Sequence, residues 1–445
     1  MRVLFIALGC DKNLVDAEVM LGLLASRGYE MIDAPEEAQI IVVNTCCFIQ
    51  EAKEESIEQI LEVASYKTEG SLKALIVAGC MAQRYEQEVI HEIPEVDAVI
   101  GTTSYDKILD VIDEVMTGKM SLFVESPDHN PVVTTKRLLT TGGHYAYLKI
   151  AEGCDKHCTY CIIPKIRGKF RSVPMEDCIA QAKDLASQGV KELILIAQET
   201  TLYGVDLYGE KRLPMLLKAL CKIPEFYWIR LMYTYPEEIT EELLLTIQEQ
   251  PKICNYLDVP IQHCNNEILK KMGRRTSKDE LVAIMRRIRQ IIPDVAIRTT
   301  LITGFPGETR EQHEELIDFV REMRFERLGV FTYSQEEDTP AALMEGQLPE
   351  EVKKSRRGEL MEAQQEIAFE TGESLVGREV LVMIEGNVAD ENVVVGRTYR
   401  DGPGVDGLIF VNTDTTLVSG DFVRVTVTGA LEYDLIGGLT DELGQ

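Results

Sequence analysis

Three cysteines crowd one short stretch of the chain, Gly153-Cys154-Asp155-Lys156-His157-Cys158-Thr159-Tyr160-Cys161. Thiolates are ligands for soft metals, and an ordinary closed zinc or iron–sulfur site takes four of them. This C-x3-C-x2-C run offers three, and no fourth cysteine follows at a fitting local spacing. A four-iron cubane held this way keeps one iron open for a small molecule. A structural zinc loop borrowing a distant fourth ligand is the alternative. A second set, Cys10, Cys46 and Cys80, is scattered in sequence, but each member follows a short apolar run. If those runs are parallel strands, the three thiols share the edge where such sheets bind ligands. Cys47 stands beside Cys46. Neighbours on an extended chain point in opposite directions, so one thiol of that pair faces the site, and Cys46 is the choice. Cys178, Cys221, Cys254 and Cys264 read as core filling.

Polar groups at other run ends suit a bound small molecule. Gln198 and Thr200, in Ile196-Ala197-Gln198-Glu199-Thr200-Thr201, can hydrogen-bond an amino acid moiety. Arg298 can pair with a carboxylate in bidentate fashion. Gly304, in Gly304-Phe305-Pro306-Gly307-Glu308, allows a close backbone approach. Tyr160 can lie beside a flat ring. For each of these the plainer reading is turn chemistry or barrel filling.

The elements that must position these groups emerge from hydrophobic patterning. In residues 1–125 the runs Val3–Leu8, Ile40–Asn44, Ala74–Gly79 and Val96–Ile100 read as buried strands, separated by helices over Leu14–Ser26, Glu51–Ala64 and Ala82–His91. Alternating strands and helices imply a parallel α/β sheet. Gly118–Gly143 reads as a linker. Residues 138–371 repeat the alternation with six strand-like runs, at Tyr145–Ile150, Glu192–Gln198, Phe226–Met232, Tyr256–Ile261, Val295–Ile302 and Arg327–Tyr333. Six units are too few for a closed eight-unit barrel, so a partial (β/α)6 barrel is expected, ending in a long helix over Glu350–Thr371. Residues 372–441 break into short strands between Gly, Asp and Asn turns, which suggests a small antiparallel β-barrel.

Composition bounds the chemistry. The chain has 445 residues and a formal net charge of -28. Residues 1–125 carry -14, residues 126–371 carry -5 and residues 372–445 carry -9. So acidic a chain argues against a generic nucleic-acid binder, which needs clustered Lys and Arg. It suits a basic protein as partner. Eleven cysteines are too sparse for a disulfide scaffold. No secretory peptide and no run of about eighteen apolar residues is visible, so a cytoplasmic chain without membrane attachment is expected.

The C-x3-C-x2-C run and the six-unit barrel together resemble the radical S-adenosylmethionine superfamily. With the N-terminal three-cysteine domain and a C-terminal barrel of the TRAM type, the whole chain is similar to the methylthiotransferase family. Leu8-Gly9-Cys10-Asp11-Lys12-Asn13-Leu14-Val15-Asp16, Ala151-Glu152-Gly153-Cys154-Asp155-Lys156-His157-Cys158 and Ile163-Pro164-Lys165-Ile166-Arg167-Gly168-Lys169-Phe170-Arg171-Ser172 look like the branch that modifies a ribosomal protein. The chain departs from the family at Cys47, where Gly is general, and at Val173, where Arg is common. The resemblance implies methylthiolation of an aspartate β-carbon on small-subunit ribosomal protein twelve. It implies a radical-generating [4Fe-4S] cluster on Cys154, Cys158 and Cys161, and an auxiliary [4Fe-4S] cluster on Cys10, Cys46 and Cys80 carrying the sulfur. S-Adenosylmethionine would be both radical source and methyl donor. Electrons would come from a flavodoxin-type reductant, and the acidic C-terminal barrel would dock the basic substrate. Methylthiolation of a tRNA adenosine is the second reading, disfavoured because a domain of 13 acidic and 4 basic side chains is ill suited to gripping RNA. A non-catalytic iron–sulfur or zinc protein is the third.

Overall fold

The computed structural model describes residues 1–131, 137–389 and 391–443. Six strands, β1 (Arg2–Ala7), β2 (Glu30–Met31), β3 (Ile40–Thr45), β4 (Ala74–Gly79), β5 (Ala98–Ile100) and β6 (Ser121–Phe123), form one sheet in the order 2-1-3-4-5-6. Every ladder in it is parallel. All residues of β3 and β4 are buried, as uninterrupted Val, Ile, Leu and Ala runs require when helices cover both faces. Because β2 lies outside β1, the chain reverses direction across the sheet between β1 and β3. In such folds the ligand crevice opens at the C-terminal ends of those two strands. Cys10 and Cys46 stand there.

Two expectations for this domain change. The segment read as a linker contributes β6, too short to show a period; its residues 132–136 lie outside the described residues. The helix expected over Ala82–His91 is two helices, Cys80–Tyr85 and Gln87–Glu92, broken at Glu86 with φ of 41°. Cys80 opens the first of them, so its thiol sits at a strand-to-helix junction.

The barrel strands are β7 (Tyr145–Lys149), β10 (Glu192–Ile196), β11 (Trp228–Leu231), β12 (Tyr256–Asp258), β13 (Ala296–Thr303) and β14 (Arg327–Thr332), with a short hairpin of β8 (Ala151–Glu152) and β9 (Arg171–Ser172) after the first. They pair in parallel as β7-β10-β11 and β12-β13-β14, and an Ile229–Ile253 bridge joins the halves. Two of the outer helices begin at capping boxes, Ser277 with Glu280 and Thr309 with Gln312. The closing helix runs from Glu350 to Glu373.

The third domain is a closed barrel of β15 (Glu379–Asn387), β16 (Val393–Arg397), β17 (Ile409–Asn412), β18 (Phe422–Ala430) and β19 (Leu435–Leu439). The fifth strand, with two glycines among five residues, carries no strand signal. Every ladder is antiparallel except β17–β19. An odd number of strands cannot close with alternating directions throughout, so one parallel pair is obligatory.

A partial barrel has open ends, and the flanking domains fill them. One apolar cluster contains Ile194, Ile196, Met232 and Tyr256 of the barrel, Val15 from the first domain and Met383 from the third. The third domain covers the N-terminal strand ends: Glu192 accepts from Arg397 at 2.6 Å, and Trp228 meets Phe422 edge to face at 4.9 Å. The first domain covers the opposite mouth, where Tyr233 Oη lies 3.1 Å from Asp11 and Lys12 sits over the Tyr233 ring.

Candidate functional site

The first cysteine trio gathers where the topology reverses. Cys10 precedes the helix Asp11–Ser26 in extended conformation and is exposed, while Cys46 and Cys80 are buried. Gly9 adopts φ of 89°, and a Cβ there would come within 2.7 Å of Cys46 Cβ, so only glycine lets the first two loops approach. Asn13 locks them by donating to Leu8 O at 2.7 Å and Thr45 O at 3.1 Å, and Asn44 donates back to Asn13 O at 2.8 Å. Burial pushes the Cys46 thiol up to about 12, and Cys80 and Cys10 push in the same direction. Thiols that raise one another need a cation in their midst to ionise together. Cys47 packs among Ile41, Ile60 and Val77 and senses Cys80 and Arg84.

The second trio lies on the loop between β8 and the short helix Ile163–Ile166. Lys156 N donates to Cys154 Sγ at 3.4 Å, Tyr235 Oη lies 3.8 Å from Cys158 Sγ, and Arg274 Nη1 lies 4.0 Å from the same sulfur. Gly153, at φ of 77°, lets the loop lie against the following segment; a Cβ would come within 2.1 Å of Lys169 O. Burial raises Cys154 and Cys161 to about 12, and Cys158 adds to both. His157 is exposed.

Among the described residues, no three His, Cys, Asp or Glu side chains converge closely enough to hold a single ion. A single zinc demands that convergence. A cubane does not, because each thiolate binds a different corner iron. Two thiol trios at strand ends therefore suit clusters better than zinc. Unpartnered acceptors stand close to the second trio, where Glu199 acts on Cys154. Gln198 Oε1 and Glu199 Oε2 are buried without a hydrogen-bond partner, and burial raises the Glu199 carboxyl to about 7. Buried acceptors without partners are costly, and an α-ammonium group supplies the missing donors.

The other strand-end residues are committed to the protein itself. Thr200 gives its hydroxyl hydrogen to Met232 O at 2.8 Å. Arg298 pairs with Asp258 at 2.9 Å and Asp406 at 3.3 Å, so the carboxylates it meets are the protein's own. Gly304 gives its N–H to Glu308 at 2.7 Å, and a Cβ would clash with Lys353 at 2.5 Å; its close approach is to the closing helix. Tyr160 packs beside Phe305, Met272 and Tyr333, with its phenol near Cys158.

Sequence reading missed the polar network between the two trios. Arg167 donates through Nη1 to Asp16 at 2.6 Å and Glu152 at 3.3 Å, and through Nη2 to Asn13 at 3.0 Å and Cys80 Sγ at 3.5 Å. Lys149 bridges Asp16 and Glu152, at 2.5 and 2.6 Å. Gln198 Nε2 donates to Glu152 Oε1 at 2.6 Å. Burial opposes ionisation of Glu152, but Lys149 and Arg167 outweigh it and hold the carboxyl well below its usual range. One signal was available: Asn13 and Asp16 lie three residues apart, on the same helix face, just after Cys10. Arg274 gave no signal.

Three family models match consecutive parts of the chain. They are an uncharacterized protein family designated UPF0004 over residues 2–101, the radical SAM superfamily over 148–320 and the TRAM domain over 376–439. Solved structures share the fold: the radical S-adenosylmethionine methyltransferase TsrM from Kitasatospora setae has a TM-score of 0.55 at 12% identity, covering 91% of this chain and 82% of that one. The cobalamin-dependent enzyme OxsB has a TM-score of 0.52 at 14% identity, covering 81% of this chain and 56% of its own. Fold and site thus define a radical S-adenosylmethionine enzyme, an iron–sulfur protein. Among relatives, the ribosomal protein uS12 methylthiotransferase RimO of Lachnoclostridium phytofermentans is 62% identical over 98% of this chain and 99% of its own. That of Clostridioides difficile is 48% identical over the full length of both. The chain belongs to the uS12 methylthiotransferase family.

Proposed function

We propose that the protein adds a methylthio group to the β-carbon of an aspartate in ribosomal protein uS12. The observation supporting this most directly is the meeting of the two cysteine trios, at facing strand-end edges, through Asn13, Asp16, Arg167, Glu152 and Gln198. Cys154, Cys158 and Cys161 would hold one [4Fe-4S] cluster, and Cys10, Cys46 and Cys80 a second. Bound there, the clusters and S-adenosylmethionine supply electron, organic radical, sulfur and methyl group, chemistry that no side chain provides. The chain's own groups bind and orient. Gln198 and Glu199 receive the amino acid end of S-adenosylmethionine. The first domain covers the mouth and excludes water, which protects a reactive intermediate.

The relatives are named for action on uS12, and near-full-length identity supports the same substrate here. The net charge of -28 favours a basic protein over tRNA. Among the described residues no helix is long and apolar enough to cross a membrane. We place the reaction in the cytoplasm, with a flavodoxin-type electron donor. The test is anaerobic incubation of the reconstituted protein with reductant, S-adenosylmethionine and uS12, followed by peptide mass spectrometry. A methylthio increment on one aspartate is expected. Its absence with both clusters intact, or tight salt-sensitive tRNA binding instead, overturns the assignment.

A further inference from the structure

The network between the two trios contains a group whose placement goes beyond holding domains together. Arg167 directly follows the short helix after the second trio, yet its guanidinium reaches the first trio and is only 1% exposed. Its Nη1 is fixed by Asp16 and Glu152, and one N–H of Nη2 by Asn13. A planar fork held by three acceptors has no freedom left, and its remaining Nη2 hydrogen is directed at Cys80 Sγ, 3.5 Å away. A neutral thiol gains little from such a donor. A metal-bound thiolate gains much, because hydrogen bonds to ionised acceptors are about twice as strong as neutral ones. The arrangement therefore has its full effect only when Cys80 is a ligand.

We propose that Arg167 is a positioning residue that sets the reduction potential of the cluster on Cys10, Cys46 and Cys80, with Glu152 as its counterweight; this rests on the assignment of those cysteines as ligands. Charge sets the sign. Taking up one electron makes the cluster more negative, and a guanidinium donating to its sulfur stabilises that state and raises the potential. Glu152, 3.3 Å from the same guanidinium, opposes it. Glu152 also accepts from Gln198, so the bond network that tunes one cluster ends beside the S-adenosylmethionine pocket of the other.

The test uses the full-length chain carrying Cys154→Ala, Cys158→Ala and Cys161→Ala together, which isolates the auxiliary cluster. Iron and sulfide are quantified, and a dye-mediated potentiometric titration is followed by electron paramagnetic resonance. Arg167→Gln is expected to lower the ratio of reduced to oxidised cluster at fixed potential about tenfold, equivalent to about 59 mV for one electron. Arg167→Lys, which keeps the charge but not the fork, should recover part of that loss. Glu152→Gln should move the ratio upward. A purely structural Arg167 would not give opposite signs in Arg167→Gln and Glu152→Gln. An unchanged potential in Arg167→Gln with iron retained, or shifts of one sign in both variants, overturns the proposal while leaving the ligand assignment standing. Absence of iron from the parent of the series overturns the ligand assignment itself. Should Arg167→Gln lose its cluster, the Arg167→Lys and Glu152→Gln shifts still decide.

Discussion

At the scale of single residues, the proposed function divides the work among six cysteines, and substitution separates their roles. Cys154→Ala should abolish S-adenosylmethionine cleavage, whereas Cys10→Ala should spare cleavage and stop sulfur transfer. Equal cleavage by both variants would show the division to be wrong. Cys46 and Cys47 differ in environment. Cys46 senses both Cys10 and Cys80, while Cys47, among aliphatic side chains, senses Cys80 and Arg84. Cys46→Ala should therefore drop anaerobically bound iron from about eight to about four per chain, and Cys47→Ala should leave it unchanged. Glu199 yields a pH dependence. Burial holds its carboxyl near 7, so below that pH the group is protonated. An incoming ammonium favours the ionised form, and binding must then release the proton. The Kd for S-adenosylmethionine should rise about tenfold for each pH unit below 7 and level off above it. Glu199→Gln should flatten the profile. A flat profile in the unaltered protein, read by equilibrium dialysis between pH 5.5 and 8.5, would remove Glu199 from the pocket.

At the scale of elements, the barrel was legible because its six strands are mostly apolar runs, wholly buried in β10, β11 and β12, and each matches the sequence reading within two or three residues. The first trio was legible for the same reason, since parallel strands bring the residues just past their C-terminal ends to one edge, and the second was legible from its local spacing. The features that escaped depend on partners far away in the chain. β6 is three residues long, and β19 is two-fifths glycine, so both exist only as additions to a sheet already built. The pairing of Arg298 was not legible because its partner Asp406 lies over a hundred residues on, in another domain. Arg167 was passed over because its acceptors come from three separate segments. The C-x3-C-x2-C loop has its own structural demand in Gly153. A side chain there carries a left-handed backbone cost of about 1–3 kcal/mol, and its Cβ would strike Lys169 O as well. Gly153→Ala should lower the melting temperature of the metal-free protein and release the iron of the second trio before that of the first. Retention of full iron with an unchanged melt would show that the loop can move off the Lys169 carbonyl.

At the scale of the whole molecule, the three domains form a stack in which each end of the barrel is closed by a neighbour. The five residues of β10 span about 16 Å, so the acidic third domain and the cysteine trios lie at opposite ends of a barrel about that long. A basic protein held by the third domain must reach around or along the barrel to present an aspartate at the mouth. Docking and chemistry are then separable by mutation. Glu391, Asp414 and Glu432 are exposed and take no part in the buried Arg397–Glu192 and Arg327–Asp401 pairs that seat the third domain on the barrel. Replacing all three by lysine shifts that domain's formal charge from -9 to -3 without touching the seat. The KM for uS12 should rise several-fold at low ionic strength, and the difference from the unaltered protein should shrink as salt screens both. S-Adenosylmethionine cleavage without substrate should stay the same, since no charge near the mouth has changed. Initial rates against uS12 concentration at two salt concentrations give the answer. An unchanged KM would move the docking surface to the first domain, whose -14 is the larger acidic excess and which already borders the mouth.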